Sequence, residues 1–269
     1  MNSHARPPRR LTLCADDFAQ TDATSGAILA LLGAGRLSAT SVMSQSPLWP
    51  EHARALKAFE GQADIGLHFN LTHPFEHGAR PLPYWLLLSQ LRALPRARLQ
   101  DLALAQIDRF AEHFGRLPDF IDGHQHVHAF PVIREALLAA IEQRWETIAP
   151  PYLRAPDRLA HPGDSGLKAR VLASACRGFQ QRAKAQGLRT PPWFAGLYAL
   201  TAEADFPGLM QAWLDACPDR GLLMCHPGHG PRAADDPIAG AREREYAFLA
   251  SDAFMEACAQ RDILLTRFG

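Results

Sequence analysis

Short apolar runs that end on a polar residue alternate along this chain with longer stretches of helical periodicity. Strands are expected at 11–15, 39–43, 64–69, 118–122, 152–156, 193–198, 222–227 and 263–266, each a brief apolar or β-branched run bounded by turn residues. Between them, helices are expected at about 23–32, 50–59, 84–94, 98–114, 131–144, 167–186, 241–249 and 252–260. The stretch 71–83 carries prolines and glycines without periodicity and reads as a long loop. Strands separated by helices predict a parallel sheet, and seven or eight such units predict an α/β fold: a TIM-like (β/α) barrel of about seven strands.

The polar residues at the strand ends are unusual in kind. Asp16, Asp17, His68, His124, Arg154 and His226 all fall at or just past the C-terminal end of an expected strand, the end at which barrel enzymes assemble their sites. One difficulty is geometric. Strict alternation sends Asp16 and Asp17 to opposite faces, so both reach one site only if the strand bends or bulges there.

Length and composition agree with one large core. The chain has 269 residues, 47% of them hydrophobic, and reads as a flexible tail over 1–10 followed by a single catalytic domain over 11–269. Lys plus Arg and Asp plus Glu number 28 each, so no global field draws in nucleic acid or an anionic membrane, although a local patch is left open. Five scattered cysteines without a CxxC argue against a disulfide framework or a thiolate zinc site, and they suit a reducing compartment. No run approaches the length of a membrane span, and the apolar run 11–15 is too short for a signal-peptide core; the expected location is cytoplasmic.

Chemistry concentrates in Asp122-Gly123-His124-Gln125-His126-Val127-His128, three imidazoles and a carboxylate within seven residues. Neutral imidazole is the commonest transition-metal ligand. An extended segment would set Asp122, His124, His126 and His128 on one face, whereas a coiled one would bring His124 and His128 together. One carboxylate and two imidazoles drawn from three strands would make an open metal site, with the second Asp of the pair as the base that takes a proton from water. His226 is the candidate acid for a leaving amine. Arg154 would orient Asp16 or hold a substrate oxygen, and Asp122, His126 and His128 remain as support, unless His128 replaces His124 as ligand. Trp193, Phe194 and Tyr198 are either a sugar-stacking wall or core, and the 85–88 segment is either core or an apolar contact for a lipid.

Four segments resemble, in order and spacing, the YdjC-like carbohydrate deacetylases: Ala15-Asp16-Asp17-Phe18, 66–72, 122–128 and Met224-Cys225-His226-Pro227. That family includes a chitooligosaccharide deacetylase and a branch associated with hopanoid biosynthesis. The resemblance implies a barrel of the glycoside hydrolase and deacetylase type, and hydrolytic removal of an N-acetyl group from an amino sugar. It implies Asp17, His68 and His124 as metal ligands, Asp16 as base and His226 as acid. It implies magnesium as the single divalent ion, while two His and one Asp suit zinc or another transition ion at least as well. Gln125 and Gly123 depart from the chitooligosaccharide enzyme, and the chain looks nearer to the hopanoid-associated branch. The expected partner is therefore a small acetamido sugar or a glycolipid, with no nucleic acid; the oligomeric state is open, a homodimer included. Competing readings are a metallophosphoesterase or amidohydrolase barrel, and a non-catalytic barrel that binds sugar or lipid.

Overall fold

The computed structural model describes residues 7–75, 78–160, 163–230 and 236–268. Strand β1 (Arg9–Phe18) runs through the middle of the molecule and is buried from Leu11 onward. After it come α1 (Asp22–Gly33), β2 (Ala39–Val42), α2 (Trp49–Leu56), β3 (Asp64–Phe69), α3 (Leu82–Gln90), α4 (Arg96–Phe114), β4 (Phe120–Gly123) and α5 (Ile133–Arg144). The second half holds β5 (Tyr152–Leu153), α6 (Gly166–Ala175), α7 (Phe179–Ala185), β6 (Phe194–Ala195), α8 (Phe206–Ala216), β7 (Gly221–Cys225), α9 (Ala239–Ala250), α10 (Asp252–Ala259) and β8 (Ile263–Leu265).

Every ladder is parallel, and the strand order is β5-β4-β3-β2-β1-β7-β6. β7 takes one edge of β1, from Leu11 to Ala15. The other edge is shared, with β8 on Arg9–Leu11 and β2 from Cys14 onward. The outer strands curl toward each other: Leu153 N–H donates to Arg189 O at 2.9 Å, and Leu159 forms a parallel bridge with Phe194. The expected seven-stranded α/β barrel is thus present as a curled parallel sheet.

Alternation decides what faces inward. Cys14, Phe120, Tyr152, Phe194, Leu222 and Met224 pack together inside the curl, while Leu11, Leu13, Ile121, Leu153 and Leu223 pack outward against the helices. The interior is tight: a Cβ on Gly66 would lie 2.5 Å from the Phe120 ring, so β3 has no side chain at that inward position. Continuing the same period by two residues puts Asp16, Asp122, Arg154 and His226 inside, at the C-terminal mouth.

Several sequence expectations need correction. Arg9 and Arg10, expected in the tail, pair with Ile263 and Leu264 in the sheet; residues 1–6 lie outside the described residues, as do 76 and 77 of the long loop. The helix expected over 167–186 is two, broken where Gly178 takes φ 78°. Helix α8 has no counterpart among the expected elements, because Pro207 and Gly208 read as punctuation. Both are tolerated in its first turn, where the Asp205 side chain accepts from Gly208 N–H at 3.1 Å. Trp193, Phe194 and Tyr198 are buried and belong to the core rather than to a sugar-stacking wall. Among the described residues no helix is long and apolar enough to cross a membrane, and all five cysteines are buried and unbridged.

Candidate active site

The site begins with an irregularity in β1. Ala15 pairs with Thr40 and Phe18 with Val42, so β1 carries one residue more than β2 between the two pairs, and Asp17 takes φ 68°. Asp tolerates this left-handed conformation better than most residues, and the bulge turns its side chain back toward the face that Asp16 already occupies. Both carboxylates consequently border one cavity of about 660 Å³.

Asp17, His68 and His124 form a compact group whose candidate ligand atoms all lie within 4.8 Å of one another. Asp17 Oδ1 is 3.3 Å from His68 Nε2 and 3.1 Å from His124 Nδ1. His68 is oriented from behind, its Nδ1 lying 2.6 Å from Asp122 Oδ1, so that Nε2 faces the group. The outer oxygen of Asp17 accepts from Arg242 at 2.7 Å; the same guanidinium nitrogen donates to Gln20 Oε1, and Arg242 Nε donates to Asp236.

The histidine stretch takes neither expected geometry. After β4 it enters a 3-10 turn over His124–Ala129, with Gln125 and His126 both left-handed at φ 52° and 62°. This separates the three imidazoles. His124 turns to Asp17, His126 packs edge-on against Phe194 at the cavity wall, and His128 Nε2 donates to Arg154 O at 2.9 Å. The turn folds so closely on β4 that a Cβ on Gly123 would lie 2.9 Å from His128 Cβ.

Beneath this group lies a buried charge cluster. Arg154, fully buried, donates to both oxygens of Asp16, at 2.6 and 2.5 Å, and one of its nitrogens lies 2.6 Å from Asp122 Oδ2. The last contact is an ion pair off the N–H direction rather than a directed hydrogen bond. Cys14, Asp16 and Asp122 also place ligand-type atoms close together, but the guanidinium already occupies their midst, 3.2 Å from Cys14 Sγ. Arg154 is thus committed to both oxygens of Asp16 and is closed off from solvent.

His226 Nε2 is 3.8 Å from Asp16 Oδ2 across the cavity floor. Behind it, the fully buried Glu245 accepts a short hydrogen bond from His226 N–H and one at 2.6 Å from Tyr198 Oη, with His226 Nδ1 3.9 Å away. Burial, only partly offset by the hydrogen bonds from Tyr198 and the His226 backbone, pushes the Glu245 carboxyl up to about 7.

Electrostatics divide these groups. Burial alone would raise both Asp16 and Asp17, yet Arg154 holds Asp16, and Arg242 with His124 holds Asp17, below the usual carboxylate range. Burial would lower His68, but Asp122 and then Asp16 outweigh it and push His68 up to about 10. Burial wins at His128 and His226, both pushed down to about 4, and also lowers His126. Asp122 and Asp16 beside its ring favour a proton on His68 in the ion-free chain. The donor set of one carboxylate and two imidazoles, with one imidazole backed by Asp122, fits a divalent ion in the place of that proton.

Ser41, Arg242 and Glu245 were not legible as site residues. Ser41 Oγ lies 3.0 Å from His68 Nδ1, yet as a lone serine in a strand it carries no signal. Arg242 and Glu245 sit in Ala241-Arg242-Glu243-Arg244-Glu245, whose alternating charge reads as a solvated helix face.

Among proteins of known name, a carbohydrate deacetylase of Mus musculus is 28% identical over 276 residues, covering 92% of this chain and 86% of that protein. The crystal structure of a candidate cellobiose-phosphate cleavage protein from Enterococcus faecalis V583 superposes with a TM-score of 0.73 at 22% identity, covering 97% of this chain and 98% of that one; at that identity it speaks for the fold. The family model described as YdjC-like protein matches residues 10–260, and the chain belongs to that family.

Proposed function

We propose that this chain is a metal-dependent hydrolase that removes the acetyl group from an N-acetylated amino sugar. The observation that carries the reading is the convergence of Asp17, His68 and His124 beside Asp16 and His226 in one cavity. The name of the mouse relative, carbohydrate deacetylase, supports the same reading. Asp17, His68 and His124 would hold one divalent ion, which when bound polarises an acyl oxygen and lowers the pKa of water. Zinc or another transition ion suits this donor set at least as well as magnesium.

The chain's own groups have separable tasks. Asp16, ionised and fixed by Arg154, takes a proton as water adds to the amide carbon. Asp16 Oδ2 and His226 Nε2 face each other 3.8 Å apart, so a small approach of the imidazole would bring it within hydrogen-bond reach to take that proton. His226, made strongly acidic when protonated by its burial, then gives the proton to the departing amine as the C–N bond breaks, leaving acetate and a free amino sugar. Glu245 holds His226 in place through its backbone. Asp122 orients His68, while His126 borders the cavity and His128 supports Arg154.

The cavity wall is markedly apolar, with Leu82, Leu86, Val171, Leu172, Leu200 and Ile238 facing the polar floor. We favour on that basis an acetylglucosaminyl glycolipid over a chito-oligosaccharide, since an apolar aglycone would replace water along the wall. The test is a panel of acetamido sugars, chito-oligomers and an acetylglucosaminyl lipid, assayed for acetate with chelator and with metal restored. Metal-dependent acetate release is expected. No acetate from any of them would end the deacetylase reading, and metal-dependent phosphate release from a generic ester would favour a phosphoesterase instead.

A further inference from the structure

Two segments beside the cavity depart from the even charge balance of the chain. Residues 78–100 and 165–186 together contain nine of the 28 Lys and Arg residues and none of the 28 Asp and Glu residues. They carry α3 and α6, which lie side by side: Gln90 Nε2 donates to Ala175 O, and Leu86 and Val171 both line the cavity. The buried Arg134 senses cations from both sides, Arg182 of α7 and Arg92 after α3.

The same two helices expose large apolar side chains. Tyr84, Leu87 and Leu91 are 41%, 60% and 66% exposed, spaced so that they share one face along α3 and its C-cap. Leu167 and Val171 of α6, four residues apart, are 71% and 47% exposed. Lys168 and Arg170 flank them, also exposed, and Arg177, Arg182 and Lys184 follow on or before α7. Glu135, the nearby carboxylate of α5, is already paired with Arg92 at 2.7 Å.

We propose that this face docks on an anionic lipid bilayer surface, with the mouth of the cavity against the membrane. Exposed leucines beside exposed cations, with the neighbouring Glu135 neutralised by Arg92, match an interface in which apolar side chains enter the acyl boundary and Lys and Arg reach the headgroups. A nucleic acid would use the cations and leave the leucines exposed; a bilayer uses both. Continuity of the patch with the apolar cavity wall gives the docking a direction. The proposal does not rest on the hydrolytic chemistry, because surface binding is measured without turnover.

The test is co-sedimentation of the full chain with vesicles of phosphatidylcholine alone and of phosphatidylcholine with phosphatidylglycerol. Binding is expected only to the anionic vesicles, falling about tenfold or more as salt shortens the Debye length from about 10 Å to a few Å. The triple variant Leu87→Glu, Leu91→Glu, Leu167→Glu avoids the cavity-lining positions; it should keep its thermal midpoint and lose anionic binding about tenfold or more. Absence of wild-type binding to anionic vesicles, or equal binding by the triple variant, would overturn the proposal. So would a wild-type dimer in sedimentation velocity that the triple variant converts to monomer, since a second copy of the chain would then cover the face.

Discussion

Replacing Arg154 by Met tests the buried charge cluster most directly. The guanidinium is fully buried and neutralises Asp16 and Asp122, which are 2% and 0% exposed. At charge separations near 4 Å and an effective dielectric of about 20, each carboxylate loses about 4 kcal/mol of attraction. The variant regains the desolvation cost of the guanidinium, so a net loss of about 3–5 kcal/mol is expected, the size typical of breaking a buried ion pair. That is a large share of a total stability of about 5–15 kcal/mol. Urea unfolding followed by tryptophan fluorescence reads the loss. The loss should shrink in acid, because without Arg154 the Asp16 carboxyl returns toward the raised value that burial alone dictates and takes up a proton. Combining Arg154→Met with Asp16→Asn, which removes one of the stranded charges, should cost less than the sum of the single changes by about 2 kcal/mol. Additivity within about 0.5 kcal/mol would show that Asp16 and Arg154 are not coupled, and the cluster as drawn would be wrong.

The remaining predictions concern metal, acid and turnover. In the ion-free chain His68 is protonated up to about 10, so an ion that takes its Nε2 displaces a proton, and apparent affinity should rise about tenfold per pH unit across the neutral range. Competition with a fluorescent chelator measures this, and an affinity flat with pH would remove His68 from the ligand set. His128 is held neutral, its pKa depressed from 6.5 to about 4 by burial, so the unfolded chain takes up its proton first as pH falls. Stability should therefore drop through the window from 6.5 down to about 4, by about 2 kcal/mol for this residue between about pH 7 and pH 5, and His128→Gln should flatten the urea midpoint over that range. His68 has the opposite sign: its contribution is full below 6.5 and fades as pH rises through about 10, leaving the acid limb to the other histidines. Asp16→Asn should lower acetate release by about 10²–10⁴-fold with metal affinity kept, and unchanged turnover would exclude Asp16 as the base.

The barrel was legible because its signal is additive. Each short apolar run is ambiguous alone, yet eight of them separated by helices leave few alternatives, and the polar residue closing each run marks the same end of the sheet. The need for a bend at Asp16-Asp17 was legible as well, since period two cannot bring neighbours to one face. The bulge itself was not, because nothing in Ala15-Asp16-Asp17-Phe18 encodes the register of β2 against it. The path of 122–128 failed to show for a related reason: two consecutive left-handed residues, Gln125 and His126, are held by tertiary packing around Gly123 and His128 rather than by local propensity. Helix α9 hid its inward residues because Arg242 and Glu245 become interior only once Asp17 and His226 stand opposite them.

The neighbouring carboxylates Asp16 and Asp17 are made different by what the bulge presents to each. Asp16 keeps the inward direction of its strand and meets Arg154, which ties both of its oxygens to the barrel interior. Asp17, displaced by the extra residue, meets Arg242 from outside the sheet with one oxygen only, and its other oxygen is left toward His68 and His124. Two arginines, one just after β5 and one on α9, separate a carboxylate held by both oxygens from another that turns one oxygen toward two imidazoles. Losing the bulge would return Asp17 to the outer face of β1 and dissolve that separation, even with every site residue retained.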